Sequence, residues 1–469
     1  MFSKLLPELY GIYHLDIAFP DILAAHWNTL WPWQRINIQD ELEKYIGDGK
    51  CALASLCVRS AFDLYLQVSK FKPGSEIIFT SLNISDMVAI ARHHGLIVRS
   101  VDLELNTLSP SLDQVRKVFT EHTVVLLVAY IYSRRSDISD IVEFAHSKNV
   151  AVIEDCAQAF RGPSNICNHK SDLAFYSFGT IKYNTCFGGA ITYVKDKELF
   201  RNMKAKQATY NIQSSWTYWK KLLKYTLLII VMNNPRIAWP LRIFDLVGIS
   251  YLTLFQKLMK AFNNDIFTEI RYQPCYSLLT LMLRRMVNYD KRTPQQIVYK
   301  GDLMHRLINT KKTFIPGMFA SDRSYWLCPV IVDNPKEVAG QLYTARYGIG
   351  AFASATQILV IRDEVLDSDS CRINELKEDI STSDRLPYFG SCAYSTHTKK
   401  DKLMKNTQFL VDHVLYLPLH AQVSDNYIKY VCRVFNHVVS QRKSIYLIAE
   451  EHGINLGQNV LSSGPLSKM

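Results

Sequence analysis

Between residues 51 and 200 short apolar runs alternate with stretches of helical periodicity, the pattern of a βαβ series and a largely parallel sheet. Helical spacing over Arg59–Val68 stops before Lys72-Pro73-Gly74, and Glu76–Thr80 reads as a buried strand. A helix over 86–94 closes on Gly95, a left-handed stop, and a strand at 97–102 follows. Next come a helix near 110–119, the apolar strand Thr123–Ile131, and a helix over Asp137–Lys148 with Ser136 as its N-cap. The strand 150–155 ends in two carboxylates, Glu154 and Asp155; 172–178 and 188–194 read as further strands, joined by a loop carrying Lys182. In an open α/β sheet ligands sit outside the carboxyl ends of the strands, so these carboxylates and the 177–189 loop mark the expected site.

The pattern breaks over 201–300. Trp216, Trp219, Leu223, Leu227 and Ile230 share one helical face, while Lys220, Lys221 and Lys224 gather on another. The run Tyr225–Met232 is apolar all round; Asn233-Asn234-Pro235 interrupts it, and a second apolar stretch, 237–255, is broken by Pro240, Arg242 and Asp245. A third helical run occupies 277–286. Beyond about residue 315 strands are expected at 325–333 and 413–420, with an acidic loop at 362–385 between them, and no internal repeat is visible. Four parts follow: an N-terminal segment (1–50), a large α/β domain (51–205), a basic hydrophobic helical insert with linker helices (206–314), and a smaller C-terminal α+β domain (315–469).

Composition narrows the class. A chain of 469 residues, 48% hydrophobic and 21% charged, is neither a coiled coil nor disordered. Its ten cysteines include no CxxC pair and no cysteine beside histidine at ligand spacing, which indicates neither a disulfide framework nor a metal site. The opening MFSKLLPELYG lacks the apolar run of a signal peptide, so the expected location is cytoplasmic. The net charge of +11 is local: residues 201–300 hold 16 basic and 4 acidic residues, and the rest nets −1. A basic excess confined to one Leu-, Ile-, Trp- and Tyr-rich region argues against nucleic acid as a partner. Eight apolar residues in a helix extend about 12 Å, short of the ~30 Å hydrocarbon core, so a simple span is disfavoured. Three readings of the insert stay open: packing on the catalytic core or a dimer partner, an anionic macromolecule, or peripheral membrane association through 216–255. For the last, Trp and Tyr suit the headgroup zone and Lys and Arg meet anionic lipid.

Two segments carry chemistry, EDCAQA at 154–159 and SFGTIKYNTCFGGA at 177–190. A strand-end carboxylate, a lysine 27 residues later in a Gly-containing loop, and a serine five positions before that lysine suit a pyridoxal phosphate site. An amine must form a Schiff base with the cofactor aldehyde, and a carboxylate must keep the pyridine nitrogen protonated. Hydroxyls and backbone N–H groups must neutralise a dianionic phosphate. The plain alternatives are a solvated loop lysine, a carboxylate with some other partner, a helix-capping Gln158, and a Ser177 hydroxyl that satisfies its own backbone.

At these residues the chain resembles the DegT/DnrJ/StrS family of pyridoxal-phosphate aminotransferases, which has fold type I and includes many sugar aminotransferases. The family's strand ending ED-x-A-Q-(A/S), its D-(I/L)-x-x-(F/Y)-S-F-x-x-x-K segment and its G-G-A strand stand here as EDCAQA, DLAFYSFGTIK and FGGAI; KPGSEIIFTS and VLYLPLH extend the match. The resemblance implies an α/β fold type I transferase: a large mostly parallel-sheet domain, a smaller C-terminal α+β domain, and a homodimer. It implies transfer of an amino group from Glu or Gln to a carbonyl substrate such as a nucleotide-linked keto sugar. It makes Lys182 the Schiff-base lysine and proton shuttle, and Asp155 the partner of the ring nitrogen. Gln158 would contact the ring or its phenolic oxygen, and Ser177 the phosphate.

The chain departs from the family's S-G-T-x-A phosphate loop, where Cys57-Val58-Arg59-Ser60-Ala61 offers Arg59 and Ser60 as phosphate ligands instead. Ile84 stands where an aromatic often stacks on the ring, and the loop after Lys182 is short. Two rivals follow: another pyridoxal-dependent reaction, such as dehydration or decarboxylation, and an inactive scaffold that binds a membrane or partner through the insert. Family dehydratases commonly lack the Schiff-base lysine, so Lys182 counts against dehydration. Cys156 and Cys186 are expected to be buried fillers, His420 structural, and His93-His94 a solvated helix end.

Overall fold

The computed structural model describes residues 14–30, 35–163, 170–232, 266–289, 292–343, 347–353, 358–361 and 404–457. The apolar stretch 237–255 and the acidic loop 362–385 lie outside the described residues. Apolar runs in the first 200 residues become strands β1 (Cys51–Ser55), β2 (Glu76–Thr80), the short β3 (Leu82–Ile84), β4 (Ile97–Val101) and β5 (Thr123–Ala129). The two-residue β6 (Arg134–Arg135), then β7 (Ala151–Asp155), β8 (Leu173–Ser177) and β9 (Ala190–Val194), follow. Seven of them form one sheet in the order β1-β9-β8-β7-β5-β2-β4. The strands from β4 to β8 in that row pair in parallel, and β9 runs antiparallel to both its neighbours. β1 is absent from the sequence expectation because its CALAS run is made of small residues with weak strand preference.

A parallel sheet is covered on both faces, so its strands need continuous apolar runs. On β5, Val125, Leu127 and Ala129 enter one core layer while Leu126 and Val128 enter the other. The second layer also receives residues of α1 (Phe19–Leu30) and α2 (Arg35–Gly47), and the first those of α3 (Val58–Ser69) and α4 (Ser85–His93). α5 (Leu112–Val118) and α6 (Ser139–Ser147) add to the second layer, α7 (Lys197–Ala208) to the first, and α8 (Ser215–Met232) to the second. Ser136 does not cap α6. Its hydroxyl donates to the Thr107 carbonyl at 3.2 Å, and Asp137 Oδ1 instead accepts the Ser139 N–H at 3.0 Å. Further along, strands 328–331, 414–417 and 352–353 make a small antiparallel sheet with 414–417 in the middle, and the helix Asp425–Ser440 buries Val431 and Phe435 in the same core.

Of the apolar stripes on the insert helix α8, the one bearing the tyrosines packs inward. Tyr218, Leu222, Tyr225 and Ile229 are buried, whereas Trp216 and Leu227 are 58% and 60% exposed, and Leu223 and Ile230 are exposed with them. The buried stripe brings its own anchors. Tyr218 donates its hydroxyl to the Cys186 carbonyl at 2.9 Å, and Tyr225 stacks on Phe187 with ring centres 5.2 Å apart. A tyrosine whose hydroxyl finds an acceptor competes well with leucine for a buried position.

One buried carboxylate joins α3 to the chain beyond residue 265. Asp63 accepts from Arg271 Nε at 2.9 Å and Nη2 at 3.0 Å and from Gln67 at 2.6 Å, and lies 2.9 Å from His94 Nε2. His93 ends α4 exposed, as the solvated helix end expected, with its ring stacked on Phe267 at 3.8 Å, whereas His94 is half-buried and tied to Asp63. Burial by itself would raise the Asp63 pKa, but the hydrogen bonds from His94 and Arg271 outweigh it and hold the carboxyl at about 2. Asp63→Ala is expected to lower stability by about 1–3 kcal/mol in urea unfolding, because it leaves the half-buried Arg271 and His94 without their shared carboxylate. A native pKa below the unfolded 3.8 gives stability that is complete above pH 3.8 and lost toward pH 2. The gap between wild type and variant should therefore close over that interval.

Candidate functional site

The site assembles at the carboxyl ends of β7 and β8, beside the start of α3. Asp155 is the last residue of β7; burial raises its pKa, against the pull of the Ala157 N–H, donated to Oδ1 at 3.0 Å, and of the Lys182 charge. Among the described residues it has no ion-pair partner within 4 Å. The pleat sends Glu154 to the other face, where Tyr130 donates its hydroxyl to it at 2.6 Å. Of the two carboxylates ending the strand, Asp155 alone bears on the site.

The loop after β8 is pinned at both ends. Phe178 N–H donates to the Gly189 carbonyl at 3.0 Å, Gly188 N–H to Phe178 at 3.1 Å, and Gly189 N–H to the Leu56 carbonyl, just before α3, at 2.8 Å. Gly189 has φ +86°, and a side chain there would collide with Met282, so glycine is required twice over. Within the loop Lys182 N–H donates to Gly179 at 3.0 Å. Ser177 Oγ accepts the Gly179 N–H at 3.4 Å, which is its local backbone role.

Lys182 is partly open along its stem, but its ammonium is enclosed by protein and lies 4.0 Å from the centre of the Trp326 ring. Trp326 donates its indole N–H to the Ile181 carbonyl at 2.7 Å, and Tyr183 donates to Tyr325 at 2.6 Å, so the 324–326 segment clamps the lysine loop from outside the main sheet. Burial pushes the Lys182 pKa down to about 8, with the Asp155 charge opposing the shift and Arg59 adding to it. A substantial fraction of this amine is therefore neutral near pH 8.

At the start of α3 the N-cap, Cys57, makes no side-chain cap to the first-turn amides. The structure gives both predicted anion ligands protein partners. Arg59 forms an ion pair with Asp86, and the Ser60 hydroxyl donates to the Ile270 carbonyl at 2.7 Å. Gln158 is no helix cap: its Oε1 accepts the Tyr132 N–H at 2.7 Å and its carbonyl the Ser133 hydroxyl, holding a turn in which both residues have positive φ. Ile84 ends β3, half-buried, paired with Ile358. Cys156 and Cys186 are buried free thiols, the latter pushed up to about 12 by burial, and suit the filler role. His420 is buried against His14 with ring centres 4.9 Å apart. A cavity of about 690 Å³ between α3 and α7 lies at the other end of α3 and includes none of these residues.

Two residues at this cluster carry no local sequence signal for it. Trp326 lies 144 positions beyond Lys182, and only the tertiary fold brings them together. Lys221, on the inward side of α8, reads in the sequence as one of three lysines on a basic face.

Residues 18–227 match the DegT/DnrJ/EryC1/StrS aminotransferase family. Among curated proteins the chain is similar to a dTDP-4-dehydro-2,3,6-trideoxy-D-glucose 4-aminotransferase of Saccharopolyspora spinosa, 26% identical over 206 residues, which is 43% of this chain and 52% of that protein. The chain thus spans about half the length of that relative. Among solved structures, the aminotransferase TlmJ of Streptoalloteichus hindustanus matches with a TM-score of 0.61 at 14% identity, over 92% of this chain and 99% of that one. NtdA of Bacillus subtilis, solved with bound cofactor PMP, matches with a TM-score of 0.59 at 16% identity, over 94% and 91%. These likenesses show the fold, that of the fold type I aminotransferases.

The electrostatics of the cluster are testable without any ligand. Asp155→Asn removes the charge that holds Lys182 up, so its titration midpoint should fall below about 8 in isotope-labelled lysine NMR. A midpoint that stays or rises contradicts the coupling.

Proposed function

We propose, from the match of residues 18–227 to the DegT/DnrJ/EryC1/StrS aminotransferase family, that this chain is a pyridoxal-phosphate-dependent aminotransferase. The observation that carries the proposal is the Asp155–Lys182 pair: a buried carboxylate and a buried amine, each without an ion-pair partner among the described residues, beside an uncapped helix start. The residues present fit the cofactor. Asp155 would meet the ring nitrogen and Lys182 the aldehyde carbon. Gln158 would reach the ring edge, and Ser177, Arg59 and Ser60 the phosphate, Ser60 through its backbone amide since its hydroxyl is engaged.

Bound there, pyridoxal phosphate supplies an electron sink for negative charge at the amino-bearing carbon of the substrate. The protein's own part is positioning and proton transfer. Lys182 Nζ, with a pKa near 8, can take a proton from one carbon and return it to another close to physiological pH. The Trp326 face stabilises Lys182 while it carries that proton, and the Trp326–Ile181 hydrogen bond fixes where the amine points. Burial keeps water from competing for the Asp155 carboxylate, which strengthens its hold on a protonated nitrogen. The donor is proposed to be Glu or Gln and the acceptor a nucleotide-linked keto sugar, in line with the sugar aminotransferase among the relatives. The chain is further proposed to work as a cytoplasmic homodimer; the seven described cysteines are all free, which suits a reducing compartment.

The wild-type protein with added pyridoxal phosphate is expected to show a visible absorbance band that glutamate bleaches and that Lys182→Ala lacks. A protein that stays colourless with excess cofactor overturns the reading.

A peripheral membrane contact is a second proposal, supported by exposed apolar side chains on neighbouring helices. Leu23, Trp27 and Leu30 of α1 and Trp216, Leu227 and Ile230 of α8 are exposed, and a 3.0 Å contact between His26 and Thr226 joins the two helices. Lys220 lies over the Trp216 ring at 5.4 Å, which places a cation at the edge of the apolar face. Among the described residues no helix is long and apolar enough to cross a membrane. The protein should float with anionic vesicles and less so after Trp27→Ser with Trp216→Ser; failure of the wild type to float removes the contact.

A further inference from the structure

We infer that Lys221, carried by the insert helix α8, is a ligand for the phosphate of the pyridoxal cofactor at the start of α3. The inference rests on the proposed function and extends it to a residue outside the motifs that suggested it. Position is the first argument. Lys221 lies three residues after Tyr218 and four before Tyr225, so all three share the inward side of α8, and both tyrosines are anchored to the 178–189 loop. The helix that delivers Lys221 is thereby fixed to the loop that delivers Lys182.

Depth is the second argument. A side-chain carbon built on Gly188 would lie 3.7 Å from Lys221 Nζ and 3.9 Å from the Leu56 carbonyl, so the ammonium occupies the crevice between the glycine pair and the residue preceding the α3 N-cap. Its stem is partly exposed, yet its ammonium is enclosed by protein.

Charge is the third. The neighbours that act on the Lys221 charge are Cys57, Arg59, Lys224 and Cys275, none of them a carboxylate, and among the described residues Lys221 has no ion pair. Arg59 has Asp86 as its counter-ion; among the described residues Lys221 has none. A cation at the amino end of a helix also opposes the helix dipole, which favours anions there. Desolvation, a neighbouring guanidinium and the dipole all disfavour this ammonium, and a dianion seated on the α3 amides would offset all three. Burial accordingly pushes its pKa down to about 8. The family's S-G-T-x-A loop is replaced here by Cys57–Ala61, with the Ser60 hydroxyl turned to Ile270, so the phosphate end has lost hydroxyl donors that a lysine from α8 can replace.

The test separates the phosphate from the ring. Apo wild type and Lys221→Met are titrated, in phosphate-free buffer, with pyridoxal 5′-phosphate and with pyridoxal, which lacks the phosphate, following quenching of tryptophan fluorescence. Lys221→Met should bind the phosphorylated cofactor on the order of 10- to 100-fold more weakly, as expected for loss of a charge-assisted contact, and pyridoxal within about twofold of wild type. Lys221→Arg should keep most of the affinity. The Met variant loses an uncompensated buried charge, so its apo form should melt no lower than wild type, which guards against misfolding as the cause. Equal loss for both ligands, or no loss for either, overturns the inference while leaving the aminotransferase reading intact. If the wild type itself binds neither ligand, both fall together.

Discussion

The constraint on which this structure turns is that charge inside a protein must be compensated. Stranding one ion of a buried pair costs several kcal/mol, and the molecule meets that cost in two different ways. Asp63 is surrounded by Arg271, His94 and Gln67 within 2.6–3.0 Å, and it serves as a rivet between α3 and the chain beyond residue 265. Asp155, Lys182 and Lys221 are enclosed without ion-pair partners among the described residues, all at the carboxyl edge of one sheet. The first arrangement is what stability asks for. The second stores unfavourable electrostatics where a ligand with a protonated ring nitrogen, an electrophilic carbon and a dianionic group can relieve it.

Holding such a site open requires rigid support, and the surrounding hydrogen bonds provide it. The ends of the lysine loop are closed by the Phe178–Gly189 bonds and tied to the Leu56 carbonyl. Trp326 and Tyr183 fasten the loop to the segment that leads into the small antiparallel sheet. Gln158 holds the left-handed turn at Tyr132 and Ser133, next to the end of β5. Each bond is ordinary in strength, and together they fix the direction of the amine, which proton transfer between neighbouring atoms depends on.

The insert helix shows how amphipathic patterns mislead when both faces are apolar. Its Trp- and Leu-bearing stripe points outward with α1, and the tyrosine stripe packs inward because each tyrosine finds an acceptor or an aromatic partner. One helix thus presents an apolar outer face and a lysine toward the site. The basic excess of the 201–300 region therefore has an inner as well as an outer part, and whole-segment charge does not distinguish them.

The alternation of apolar runs and helical spacing was enough to determine the central sheet, because parallel strands covered on both faces admit few sequences other than continuous Val, Ile and Leu runs. The same local reading nominated Asp155, Ser177 and Lys182 as candidates, since strand ends and the loop between β8 and β9 are short-range features. β1 escaped it because CALAS holds a single large apolar residue, Leu53, among small ones of weak strand preference, and its place beside β9 follows from pairing alone. The partners of Arg59, Ser60 and Gln158 were equally illegible: Asp86, Ile270 and Tyr132 are neighbours only in three dimensions. Trp326 and Lys221 reach the site from 144 and 39 residues beyond Lys182. Periodicity reports which face of an element is apolar, but the choice between two apolar faces, and the distance from a charge to its nearest counter-charge, are set only when the elements pack.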